Sequence, residues 1–159
     1  MADVLATYLN DHLAGSAAGI QLGRRCAKGH AGTEVGALLE RFVEEFEEDR
    51  SQLEDAMERL GVARNPPRQA TALAGELLSR VRHVVPVVGS TSSEAIALED
   101  LELLSLGIEG RRMLWHALRE LDDARLRGSD LAALEDRARE ERDELEPFRL
   151  AAVRRAASG

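Results

Sequence analysis

Four stretches of this chain carry apolar or small residues that recur every three and four positions, and the links between them run short, long, short. That period belongs to the α-helix, and a helix with one apolar stripe must bury it against a neighbour. The first stretch runs from about Asp3 to Ala27, with Leu5, Leu9, Leu13, Ser16, Ile20 and Gly23 in its stripe and Gly29 and Gly32 breaking it. The second opens on Thr33, a predicted N-cap, and closes at Gly61, a predicted C′ glycine; Val35, Leu39, Phe42, Phe46, Leu53, Met57 and Leu60 form its stripe. The third starts on a capping box, Thr91-x-x-Glu94, and runs to about Leu121 through Ala97, Leu101, Leu104, Ile108, Arg111, Trp115 and Leu118. The fourth begins at Ser129 and follows Leu131, Leu134, Ala138, Glu141, Leu145, Phe148 and Ala152, with Pro147 predicted to kink or break it.

Link length then sets direction. Short connections make helices one and two, and helices three and four, antiparallel hairpins. The connection from Gly61 to Ser93 is about thirty residues, far longer than an ordinary helix–helix loop. It can carry the chain back along the bundle, leaving helices two and three parallel, and a short amphipathic helix is expected within it over about Gln69–Arg82. The expectation is an all-α four-helix bundle, a single domain over 1–159, made of two antiparallel hairpins and one long crossover. Composition agrees: Ala, Leu, Glu and Arg dominate, aromatics are 3%, and Val84-Val85-Pro86-Val87-Val88 is the one β-branched run.

Charge and cysteine use narrow the function. A formal net charge of −8 lacks the basic face that nucleic acid requires and would be repelled by an anionic membrane. No apolar run is long enough to cross a bilayer, and no charged segment followed by an apolar one opens the chain. Cys26 is the single cysteine, so an internal disulfide is excluded, which suits a reducing compartment. A cytoplasmic protein is expected, with no nucleic-acid or membrane partner. Cys26 reads as a buried structural thiol, and His30, His83 and His116 as surface or boundary residues. No phosphate-binding Gly-rich loop, Cys-x-x-Cys or Ser/His/Asp pattern is present.

Two acids stand out because each interrupts an apolar stripe: Asp49 between Phe46 and Leu53, and Glu141 between Ala138 and Leu145. The surrounding segments echo one another, Glu48-Asp49-Arg50-Ser51-Gln52-Leu53-Glu54 against Glu140-Glu141-Arg142-Asp143-Glu144-Leu145-Glu146. A weaker echo links Gly19-Ile20-Gln21 in the first helix with Gly107-Ile108-Glu109 in the third.

The Glu140–Glu146 run resembles the Glu-Glu-Arg-Glu-His-Leu-Glu pattern of ferritin-like proteins. Tyr8-Leu9-Asn10-Asp11-His12-Leu13-Ala14-Gly15 and Glu48-Asp49-Arg50 resemble a bacterial group of that superfamily, over roughly Val4 to Ala152. The resemblance implies a ferritin-like bundle, whose metal-binding members use a carboxylate from each of two helices and a Glu-x-x-His pair from each of the others. Here those pairs fall on Asp49-x-x-Gln52 and Glu141-x-x-Glu144, and the remaining two positions on Ser16 and Leu104. Both histidines are missing, so a degenerate metal site replaced by a polar core network of His12, Arg24, Asp49, Arg111 and Glu141 is expected, with no cofactor. The expected function is non-catalytic, exercised through a homodimer or a protein partner. The alternative is an iron or manganese oxidase or ferroxidase using His12, Asp49, Glu141 and Glu144. A third reading is a small-molecule or lipid carrier using space beside the small residues Gly15 to Gly19, although close helix packing is the first expectation for them.

Overall fold

The computed structural model describes residues 2–65 and 93–158. It contains four long helices: α1 (Ala2–Gly29), α2 (Glu34–Leu60), α3 (Ser93–Glu120) and α4 (Leu131–Ala156). A short 3-10 turn, Ala124–Leu126, lies between α3 and α4. The crossover helix expected over Gln69–Arg82, the capping box at Thr91 and His83 all lie outside the described residues.

Local chemistry ends the helices where the sequence suggests, with small displacements. The Thr33 hydroxyl accepts from the Gly36 amide and caps α2. Gly61, with φ 70°, closes the same helix in the left-handed conformation and returns its amide to Glu58 and Met57 carbonyls. Gly36 has no room for a side chain, because a Cβ there would meet the His30 carbonyl. The N-cap of α4 is Asp130, one residue beyond the expected Ser129; its carboxylate accepts from the Ala133 amide. Of the kink or break expected at Pro147, the break does not occur, and α4 runs through it. Pro147 and Asp143, whose carbonyl loses its helical donor, are both on the exposed side, where water can serve that carbonyl.

Contacts set the directions. Arg25 near the end of α1 pairs with Asp100 near the start of α3. Leu9 and Leu13, near the start of α1, cluster with Leu114, Trp115 and Leu118 of late α3. Thus α1 is antiparallel to α3 as well as to α2, which makes α2 and α3 parallel. Arg41 of α2 meets Glu144 of α4, and Arg59 meets Ser129, so these two are antiparallel. The four helices pack in the order α1, α2, α4, α3 around the bundle.

The core is divided. One cluster gathers Ile20, Leu22, Cys26, Leu39, Phe42, Phe46, Leu101, Leu104, Ile108, Ala138 and Leu145. The other gathers Leu9, Leu13, Leu53, Met57, Leu60, Leu114, Trp115, Leu118 and Leu131. Each Leu or Phe buried in this way is worth about 1.5–3 kcal/mol, so packing of the stripes is what holds the helices together. Along α2 and α3 the boundary between the clusters falls at Asp49 and Arg111, and along α1 it falls on the small residues from Gly15 to Gly19.

Candidate functional site

Asp49 and Glu141 are buried, at 2% and 1% exposure. Both sit where their helices' stripes require, and α3 delivers Arg111 between them. The Arg111 Nη2 donates to Glu141 Oε2, and its Nε stands 2.9 Å from Asp49 Oδ2. That second contact is a close ion pair set out of line for a hydrogen bond, which is why neither atom has a hydrogen-bond partner among the described residues. The guanidinium also lies over the Phe46 ring, 4.4 Å from its centroid, a cation–π contact in a dry setting.

Burial works against all these charges. It brings the Arg111 guanidinium down to about 10, with Asp49 opposing the fall, so Arg111 is charged at neutral pH. It pushes the Asp49 carboxyl up, while Arg111 and Arg137 pull it back. Arg137 was not among the sequence candidates. Reaching from α4, its Nη2 donates to Asp49 Oδ1 and its Nη1 to Glu48 Oε2 at 2.9 Å. The signal was present: Arg137 lies four residues before Glu141 on α4, and antiparallel packing brings it level with Asp49.

The other expected members lie elsewhere. Arg24 is a correction: its side chain is 60% exposed and pairs with Glu47 at the outer edge of α1 and α2. It falls one residue beyond the stripe position Gly23, so it points outward. Glu144 is about half exposed and pairs with Arg41, away from Asp49 and Glu141. His12 is half-buried, stacks edge-on against Tyr8, and makes no hydrogen bond to either acid. Burial lowers its pKa against the pull of Asp11, so its imidazole is neutral at pH 7.

A second buried carboxylate escaped the sequence reading. Glu135, 3% exposed, is surrounded by Arg112, Arg119, Arg139 and His116. Its place could have been read from Leu131, one turn earlier on the same face. His116 is half exposed, the boundary position expected of it.

Among the described residues no group of three or more His, Cys, Asp and Glu side chains converges. The space between Asp49 and Glu141, where a bridging cation would sit, is filled by the Arg111 guanidinium.

Beside this polar layer, between α1 and α3, lies a cavity of about 470 Å³. The expectation of close packing for the small residues of α1 is corrected here. A Cβ at Gly15, Gly19, Gly107 or Gly110 would meet nothing within 4 Å, and all four glycines line the cavity. Only Gly23, one turn further on, is packed tightly, against Val43 and Phe46. The cavity walls are mainly apolar, with the charged Asp11, Asp49, Arg50 and Arg111 and the polar Tyr8, His12 and Ser16 as exceptions.

Comparison of the chain with protein-family models, with curated proteins and with solved structures finds no match.

Proposed function

We propose that this protein is a ferritin-like bundle in which an arginine stands in for the metal, and that it acts by binding rather than by redox catalysis. One observation carries the reading: a single guanidinium between two buried carboxylates from α2 and α4, at positions that echo each other in sequence. A planar cation with several donors can serve two carboxylates at once, as a bridging metal ion would. Unlike a metal ion it offers no open coordination position and no redox state, so it supplies structure and no chemistry. The two hairpins and the parallel α2 and α3 support the ferritin-like part of the proposal.

The test is metal analysis of protein purified without chelator, before and after incubation with ferrous iron or manganese. The expected result is well under one metal per chain, with no change in thermal stability. Stoichiometric metal lost on Asp49→Asn or Glu141→Gln substitution would overturn the reading in favour of the oxidase alternative.

Self-association is supported separately by Ile96, Leu106 and Met113, which α3 leaves 54%, 54% and 56% exposed. Sedimentation equilibrium tests it. Dimer formation weakened by Leu106→Glu and Met113→Glu is the expected result, and a monomer at high concentration would refute it.

A further inference from the structure

We infer that the cavity between α1 and α3 binds one small, uncharged, apolar molecule carrying a single hydrogen-bond acceptor, such as a ketone or an ester. The inference rests on the arginine reading above, because it needs Arg111 held at the cavity wall.

Its volume, about 470 Å³, is that of a small-molecule site. Leu53, Leu104, Leu114 and Trp115 supply apolar walls, and the four glycines leave the opposite sides unfilled. The pocket opens to solvent beside Leu106 and Gly107, so a ligand can enter, and its largely apolar walls favour an apolar occupant that covers them. The polar demand is narrow. Arg111 spends Nε on Asp49 and Nη2 on Glu141, and its Nη1 has no protein acceptor among the described residues. Arg111 lines the cavity and its side chain is 13% exposed, which gives a ligand there access to the guanidinium. Its Nη1 can donate to a carbonyl oxygen.

Charge balance then selects against an anion. Asp49 and Glu141 are offset by Arg111 and Arg137, and the other charged lining residues, Asp11 and Arg50, balance each other, so the cavity carries no net positive charge to hold an anion. A carboxylate placed against Arg111 would also face Asp49, and the neutral His12 imidazole would not compensate it.

The probe is 6-propionyl-2-dimethylaminonaphthalene, an uncharged aromatic ketone whose emission moves to the blue in apolar surroundings. Saturable binding of one probe per chain is expected. After correction for their different partition between water and hexadecane, 2-octanone should bind at least roughly tenfold more tightly than octane, the worth of one charge-assisted hydrogen bond. Octanoate should displace less well than the ketone. Gly19→Leu together with Gly110→Leu fills the cavity without touching Arg111. That variant should melt no lower than the parent, since leucine favours the helix over glycine, and should lose at least tenfold in probe affinity.

No saturable binding, or full binding by a folded Gly19→Leu, Gly110→Leu variant, overturns the site. Equal partition-corrected affinity for ketone and octane overturns the role of Nη1, and preferred displacement by octanoate overturns the charge argument. Metal content measured on the same preparation separates the two proposals: a metal-free chain that ignores the probe defeats only this inference, and a metal-loaded chain defeats the arginine reading.

Discussion

Replacing Arg111 with alanine should destabilise the fold far more than its single side chain suggests. Glu141, 1% exposed, has Arg111 as its ion-pair partner among the described residues, so the substitution strands a carboxylate in the core. Asp49 loses one of two arginines and keeps Arg137. Stranding a buried charge costs about 3–5 kcal/mol, and the guanidinium also leaves its stacking place over Phe46. For a chain of this size that is a fall of roughly 6–20 °C in Tm. The assay is urea unfolding at pH 7.5, with thermal melting beside it. A matched variant, Arg111→Met with Asp49→Asn and Glu141→Gln, removes the charges together and keeps the volume. It should unfold within about 2 kcal/mol of the parent, because a buried ion pair is worth little over a well-packed apolar or neutral replacement. If Arg111→Ala falls within about 1 kcal/mol of the parent, or the matched variant is the less stable of the two, the charge-layer argument is refuted.

Asp49 gives the pH dependence of the same variant. Its folded pKa is raised by burial, so its contribution is present in full below the unfolded value near 3.8 and is lost as pH rises through the folded value. Removing Arg111 lifts the folded value further, so the stability gap between parent and Arg111→Ala should widen from pH 4.5 to pH 7.5; a gap that narrows would refute this. Arg137→Ala should cost about 1–3 kcal/mol, less than Arg111→Ala, because Arg137 is partly exposed and Asp49 retains Arg111; denaturant unfolding of the two variants side by side checks the order. Burial, assisted by the charge of Asp100, pushes the Cys26 thiol up to about 12, so alkylation by iodoacetamide at pH 8 should be slow until urea unfolds the chain. Thr33→Ala should lose about 1 kcal/mol with the α2 N-cap, and Gly36→Ala should also destabilise by forcing the α1–α2 turn apart; thermal melts read both.

What the sequence displays plainly is periodic, and what it hides is azimuthal. The stripes of α2 and α3 are buried almost residue for residue, because in an amphipathic helix the face is set by spacing alone. Asp49, Glu141 and Arg111 are legible for the same reason: each occupies a stripe position in place of an apolar residue. Arg24 is misplaced because it neighbours the stripe, and one residue is a turn of 100° about the axis. Arg137 and Glu135 lie on the flanks of α4 and are legible only when its stripe is followed by whole turns, Arg137 four residues before Glu141 and Glu135 four after Leu131. The cavity is illegible for a related reason. Small residues on α1 permit either close approach or open space, and the outcome rests on the matching glycines at 107 and 110 across the interface. Link lengths, by contrast, carried the helix directions without any knowledge of side-chain contacts.

The distribution of charge between the hairpins has a consequence for how the chain is made. Asp49 belongs to α2, yet the two arginines that meet it come from α3 and α4. During synthesis the acid therefore emerges well ahead of its counterions, and the α1–α2 hairpin must wait with an unmatched charge on its inner face. Such a hairpin is poorly suited to settle alone or to dock against a second copy of itself, since that would bring two carboxylates together. The later hairpin brings both guanidinium groups, Arg111 shared between Asp49 and Glu141 and Arg137 between Asp49 and Glu48. The ion layer thus ties the two hairpins to each other, since Asp49 leaves water only where Arg111 and Arg137 arrive to meet it.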